Sequence, residues 1–205
     1  MYYADYGGED LNGAFVTKVF KDIPILETER LILRRMLKTD ADDMFEYAQR
    51  ADTTRYLTWN PHPTRKFSYQ YLVYLQQKYK QGEFHDWALV LIDSGKMIGT
   101  CGFTRFDFAN DSAEVGYVIN PDFWGNGLAT EALSRVIRFG FDYLELHRIE
   151  AKYMEDNTPS RRVMEKCGMA FEGIRRESLF IKGGFVNVGV CSILRSEYNQ
   201  RRIGF

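Results

Sequence analysis

No stretch of about 18 consecutive apolar residues occurs in the chain, so the sequence offers no membrane-spanning helix. Cysteine is scarce. Cys101, Cys167 and Cys191 form an odd set of three with no Cys-x-x-Cys spacing. That excludes a disulfide framework and reads as reduced, buried thiols of a cytoplasmic protein, with no metal site expected. Charge of one sign is also missing. The 27 basic and 28 acidic residues leave a net charge of −1, which gives no bulk pull toward nucleic acid or membrane. The opening MYYADYGGEDLNGAF is acidic and polar and does not read as a signal peptide. What the chain does have is apolar material. Of its 205 residues, 45% are hydrophobic and 15% aromatic, enough for one well-filled domain.

Residues 1–22 are glycine-rich and aromatic with little period, and read as an N-terminal extension that packs on the domain or on a neighbour. Residues 23–205 read as a single domain. Ile25 to Met36 alternates as a strand does. Lys38 to Gln49 places Ala41, Met44, Phe45 and Ala48 on one helical face. Trp59-Asn60-Pro61-His62-Pro63 is a loop stiffened by two prolines, and Lys66 to Gln81 reads as a helix. Strands follow at Asp86 to Ile92, Lys96 to Asp107 and Ala113 to Ile119, the first two joined by the turn Asp93-Ser94-Gly95. A helix from Thr130 to Tyr143, a strand from Arg148 to Met154 and a helix from Thr158 to Cys167 come next. Gly168 stops that last helix. Strands at Met169 to Phe180 and Phe185 to Leu194 close the order, which predicts a mixed sheet with helices on both faces.

The chemistry shows in Asn120 to Leu133, NPDFWGNGLATEAL. A strand enters it and a helix leaves it. Between them the glycines of Trp124-Gly125-Asn126-Gly127-Leu128-Ala129 let successive N–H groups face one point. The helix start adds unpaired N–H groups and the positive end of its dipole. Together these make an anion cradle, most often for phosphate. A dinucleotide fingerprint fits poorly, because Thr130 stands where its third glycine belongs; Glu150 or Glu155 would be the ribose-binding acid. A nucleotide P-loop is excluded, because no Gly-Lys-Ser/Thr follows.

The loop resembles the acyl-CoA loop of the GNAT N-acetyltransferases, (Gln/Arg)-x-x-Gly-x-(Gly/Ala), with Gly127 and Ala129 in the last two fixed places and Trp124 in the first. Trp-Gly-x-Gly followed by Ala-Thr-Glu-Ala is similar to the RimJ/RimL-type branch, the ribosomal-protein N-terminal acetyltransferases. Two further segments carry the same resemblance in the same order. Asn157-Thr158-Pro159-Ser160 through Glu165-Lys166-Cys167-Gly168-Met169 matches Asn-x-x-Ser-x-x-Val-x-Glu-Lys-x-Gly-Phe, with Met169 in the aromatic place. Leu26-Glu27-Thr28-Glu29-Arg30-Leu31-Ile32-Leu33-Arg34 resembles the branch's Thr-Glu-Arg-Leu-x-Leu-Arg opening. The matches span Leu26 to Tyr198.

The resemblance implies an α/β (α+β) GNAT acyl-CoA N-acyltransferase fold, a mixed, mostly antiparallel sheet of about seven strands flanked by helices on both faces. It implies acetyl-CoA as co-substrate, its pyrophosphate held by backbone N–H groups of Gly125, Asn126, Gly127, Leu128, Ala129 and Thr130. A backbone N–H within Tyr117, Val118 and Ile119 would polarise the thioester carbonyl. Asn157 would hold the pantetheine or acetyl end, its rival role being a helix N-cap. Ser160 would hydrogen-bond to the developing thiolate, with a cap hydroxyl as rival. Glu114 is the candidate general base, against an ordinary strand glutamate; His85 and Glu177 are reserves. Trp59 and His62 would frame the acceptor. The expected activity is direct transfer, in a ternary complex, to a primary amine, foremost a protein N-terminal α-amine. Small amines (an amino acid, a polyamine, an antibiotic) and a non-catalytic acyl-CoA-binding module are the alternatives. No nucleic-acid partner is expected, and the chain reads as a monomer or homodimer.

Overall fold

A computed structural model describes residues 11–203, with side chains placed from Gly13 to Gln200. One sheet runs through it, built from β1 (Leu26–Glu27), β2 (Leu31–Arg34), β3 (His85–Leu91), β4 (Met97–Asp107), β5 (Ser112–Ile119), β6 (Arg148–Met154), β7 (Ala170–Ile181) and β8 (Gly184–Leu194). The spatial order is β1-β2-β3-β4-β5-β6-β8-β7. Every neighbouring pair is antiparallel except β5 and β6. The helices are α1 (Leu11–Lys21), α2 (Ala41–Ala48), α3 (Ala51–Thr54), α4 (Arg65–Gln81), α5 (Leu128–Asp142), α6 (Thr158–Lys166) and α7 (Arg195–Ile203).

The sheet has eight strands rather than about seven because the strand expected over Ile25 to Met36 doubles back. The Thr28 N–H donates to the Leu31 carbonyl at 3.0 Å, and the Leu31 N–H donates to Thr28 Oγ1 at 2.9 Å. A side-chain oxygen that satisfies the backbone locally competes with the ladder, and here it makes a turn. Leu26 then pairs with Leu33 in a short antiparallel hairpin.

Half of the expected extension is helix. α1 buries Val16 and Phe20, and Ile23 is buried just beyond it, a spacing of four and three residues that keeps one face inward. Phe20 is fully buried, its ring 4.7 Å from His85, 5.3 Å from Trp87 and 6.3 Å from Phe139. It plugs the aromatic core between the sheet and α5. Residues 1–10 of the extension lie outside the described residues. α7, which follows β8, was not expected from the sequence either.

Local rules explain the helices that frame the site. α4 starts where Thr64 Oγ1 accepts from the Phe67 N–H at 3.2 Å, and stops at Gly82, whose φ of +73° suits glycine. α5 turns Leu128, Ala132, Leu133, Val136, Ile137 and Gly140 onto the sheet. Gly140 packs closely there: a Cβ would come within 2.7 Å of Ile149 Cδ1, and that side chain would have to move.

β5 and β6 pair only from Ser112↔Arg148 to Val115↔Ala151, although β5 continues to Ile119 and β6 to Met154. The two strands therefore fork, and the opening sits mid-sheet.

If Phe20 is a core residue, Phe20→Ala lowers stability by about 3–5 kcal/mol in urea unfolding. A loss below about 1 kcal/mol would make α1 a peripheral helix.

Candidate active site

The glycine loop lies at the end of the fork. Gly125 and Gly127 have φ of +79° and +77°, and a Cβ at Gly125 would meet nothing within 4 Å. Among the described residues, no backbone carbonyl accepts from the N–H groups of Gly125, Asn126, Gly127, Leu128, Ala129 or Thr130; the first such bond is Glu131 N–H to Gly127 O at 3.0 Å. Six consecutive donors at a helix N-terminus suit a diphosphate.

The loop is held from behind, by a contact that the sequence reading missed. The turn between β1 and β2 grips Glu131 in the first turn of α5. Thr28 Oγ1 donates to Glu131 Oε1 at 2.6 Å, the Arg30 N–H to the same oxygen at 2.8 Å, and Arg30 Nε to Oε2 at 2.7 Å. Arg30 Nη1 also donates to the Asn126 carbonyl at 2.9 Å. Burial works against ionisation of Glu131, but these donors outweigh it and hold the carboxyl below the usual carboxylate range. The two early motifs, Thr-Glu-Arg and Ala-Thr-Glu-Ala, are the two halves of this clamp. Their spacing in sequence gave no hint that they touch.

In the fork, the Asn120 N–H donates to Ile98 O on β4 at 2.7 Å. Strand groups alternate sides, so the Val118 N–H also faces β4, while those of Tyr117 and Ile119 face the opening. Trp124 Nε1 donates to the Ile119 carbonyl at 2.8 Å and so closes the end of the fork. The Tyr117 hydroxyl crosses to α6, where Ser160 O and Ser160 Oγ both lie 2.8 Å away. Burial pushes the Tyr117 phenol well above its ordinary range and keeps it neutral. Asn157 caps α6, its Oδ1 accepting from the Ser160 N–H at 3.3 Å. The cap uses only the carboxamide oxygen.

The fork opens into one cavity of about 780 Å³, walled on its far side by α2, α4, the loop around Trp59 and part of β7. Glu114, Tyr117, Val118, Asn157 and Ser160 line it, and so do Trp59 and His62. The rings of Trp59 and His62 are 5.3 Å apart, and His62 Nδ1 is 2.8 Å from Ser68 Oγ. Burial lowers the His62 pKa, which favours neutral imidazole. Glu114 is ion-paired with Lys152, whose ammonium also lies 3.3 Å from Glu150. His85 is not brought to the cavity: its ring packs edge-on against Phe20 and Phe106 in the core. Glu177 sits at a bulge of β7, its N–H donating to Asn187 Oδ1 at 2.7 Å. The cavity wall also holds Asp86, which the sequence reading passed over.

The acetyltransferase (GNAT) domain family matches residues 30–170, and the chain belongs to that family. An uncharacterized N-acetyltransferase, p20 of Bacillus licheniformis, is 34% identical over 84% of this chain and 97% of its own. The ribosomal protein uS5-alanine N-acetyltransferase of Escherichia coli is 29% identical over 77% of this chain and 84% of its own. The spermidine N(1)-acetyltransferase of Vibrio cholerae is 30% identical over 62% of this chain and 75% of its own. Among solved structures, a GNAT-family acetyltransferase from Bacillus anthracis superposes with a TM-score of 0.76 at 26% identity, covering 84% of this chain and 99% of that one. The protein is thus an N-acetyltransferase, and the RimJ/RimL-type resemblance agrees with its relatives.

Two substitutions probe the cradle. Gly127→Val forces a branched side chain into a left-handed backbone, and should weaken coenzyme A binding at least about tenfold, or about 1.4 kcal/mol, by calorimetry. Glu131→Ala removes the clamp without exposing any ligand contact, and should weaken binding in the same direction. Unchanged affinity in both would remove the loop from the cofactor site.

Proposed function

We propose that the protein transfers the acetyl group of acetyl-CoA directly to the α-amine of a protein N-terminus, in a ternary complex. The observation that carries this is continuity: one cavity is lined from the fork by Tyr117 and Ser160 and from the facing wall by Trp59 and His62. A thioester lying in the fork and an amine entering from the other side would share that space. Proximity of this kind replaces a bimolecular encounter by a positioned one. Direct transfer also fits the cysteines. None of the three lines the cavity, and burial raises the thiol pKa of Cys101 well above its ordinary value.

The residues divide the work. The N–H groups of Gly125 to Thr130 would hold the diphosphate. The N–H of Tyr117 or Ile119 would donate to the thioester oxygen as charge develops on it. Asn157 would offer its carboxamide N–H groups to pantetheine while its oxygen caps α6. Ser160, hydrogen-bonded to Tyr117, would donate toward the leaving sulfur. Glu114 lines the cavity as the resemblance asks, but Lys152 already engages its carboxylate. To take a proton from the acceptor it would have to give up that contact.

An α-amine acceptor is supported by the resemblance of three segments to the ribosomal-protein N-terminal branch and by the uS5-alanine relative. The spermidine relative favours a polyamine as the second reading. A thiol-release assay with acetyl-CoA separates them, using peptides that begin with alanine or serine alongside spermidine and an aminoglycoside. The peptides should give the highest kcat/KM, and Ser160→Ala should lower kcat about 10- to 100-fold with little change in KM. A higher kcat/KM for spermidine would select the small-amine reading. Saturable acetyl-CoA binding without turnover of any amine would make the chain an acyl-CoA-binding module.

A further inference from the structure

Asp86, near the start of β3, is a half-buried acid with one carboxylate oxygen left unpartnered. It lines the cavity, and its Oδ1 is shut off from solvent with no hydrogen-bond partner among the described residues. Lone buried carboxylate oxygens are costly and call for a reason. Burial pushes its pKa up to about 7, while the Thr100 hydroxyl and the Trp87 N–H only partly oppose the rise.

The sheet register supplies the reason. Asp86 stands opposite Gly102 on β4, and Gly102 stands opposite Gly116 on β5. Residues in one cross-strand row share a face, so the Asp86 carboxylate looks along a row whose next two members have no side chain. At Gly102 the row must stay bare, since a Cβ there would lie 2.8 Å from Asp86 Oδ1 and 2.4 Å from its Cα; at Gly116 the Thr104 methyl lies 3.0 Å from where a Cβ would stand. Gly116 is the first residue of β5 beyond its pairing with β6, at the mouth of the fork. Two strand spacings separate it from Asp86, about 9.5 Å between backbones. An amine nitrogen hydrogen-bonded to the carboxylate, directly or through one water, fits in that gap next to a thioester in the fork.

We propose that Asp86 binds the acceptor's ammonium group and takes its proton, the two-glycine lane carrying the freed amine to the thioester. The inference rests on the acetyl-transfer reading of this cavity and deepens it. The carboxylate accepts one proton from R–NH3+. The nitrogen lone pair then forms the C–N bond while the carbonyl π pair moves to oxygen. Return of that pair breaks the C–S bond. The second proton lost by nitrogen balances the one gained by sulfur through the Ser160 hydroxyl, and Asp86 gives its proton to water. The sum is R–NH3+ plus acetyl-CoA giving R–NH–acetyl, CoA–SH and H+.

The surroundings suit the role. Tyr47 on α2 and Tyr71 and Tyr79 on α4 face Asp86 as neutral phenols, their ionisation pushed up chiefly by burial. Arg35 lies over the Tyr79 ring, 4.7 Å from its centre. The charged side chains that share the cavity are Glu114, Lys152 and Arg175, and His62 and five tyrosines, Tyr47, Tyr56, Tyr71, Tyr117 and Tyr153, are its other titratable groups. Glu114 and Lys152 satisfy each other. With Glu114 paired to Lys152, Asp86 under aromatic walls is left as the acid for one ammonium with an apolar neighbour, as at a peptide N-terminus, rather than for a polyamine with several charges.

Asp86→Asn tests this with acetyl-CoA and an alanine-initiated peptide. Acetyl-CoA affinity should stay within about twofold, while kcat/KM at pH 7 should fall at least about 100-fold. The wild-type acid limb, near pH 7, should be replaced by a rise that follows the peptide's own α-amine, at roughly 7.7–8.0. The variant should therefore regain activity toward pH 9. Thermal unfolding gives a readout independent of turnover. An acid whose folded pKa is raised costs stability as pH climbs from its unfolded value of roughly 3.9 to its folded value. The variant lacks that cost, so its advantage in Tm over wild type should grow from pH 4 to pH 7. A variant with wild-type kcat/KM and profile, or a Tm difference that does not change with pH, would overturn the Asp86 assignment alone. Failure of the wild-type protein to acetylate any amine would overturn the acetyl-transfer reading and this inference with it.

Discussion

Two neighbouring strands that stop pairing halfway are the feature on which the rest depends. Among the described residues β5 and β6 are the one parallel pair in the sheet, and they separate after Val115 and Ala151. A continuous ladder would satisfy every strand N–H and leave nowhere to bind an extended ligand. The fork instead leaves the Tyr117 and Ile119 donors facing an opening, with the glycine loop at one end and Ser160 across from Tyr117. It costs backbone pairing that the fold replaces in other ways. Trp124 closes over the Ile119 carbonyl, the Asn120 N–H reaches Ile98, and the Tyr117 hydroxyl ties β5 to α6.

The clamp on Glu131 gives the loop a fixed shape. A diphosphate cradle built from main-chain amides works only if those amides already converge, because ordering a free loop on binding would consume affinity. Thr28 and Arg30 fix Glu131 and the Asn126 carbonyl from behind, which leaves the amides of the loop pointing outward. The charged residues of this clamp never need to touch the ligand.

The sequence carried the fold's order well, because the strands and helices after Lys38 follow strong periods and clear turn signals. It carried the glycine loop for the same local reason: a strand, two glycines and a helix start lie within one short segment. What it hid was everything set by pairing. Thr28, Glu29 and Arg30 read as the middle of a strand, and the turn that Thr28 closes brings Thr28 and Arg30 to Glu131 of α5. Phe20 and Val16 have helical spacing, but over too short a run to announce a helix. Asp86 looked like an ordinary strand acid beside a more conspicuous histidine. Its meaning depends on Gly102 and Gly116, which lie 16 and 30 residues away and align with it only through the register. Glu114 drew attention by position, whereas its partner Lys152 arrives from a different strand.

The central claim is that main-chain amides of the loop and the fork receive the pantetheine diphosphate. Amide-resolved NMR during a titration with coenzyme A reads this residue by residue. The largest shifts should fall on Gly125 to Thr130 and on Tyr117 and Ile119, with Glu131 and Arg30 nearly unmoved because the clamp is already set. Saturable shifts elsewhere, with the loop and fork amides unchanged, would contradict the account.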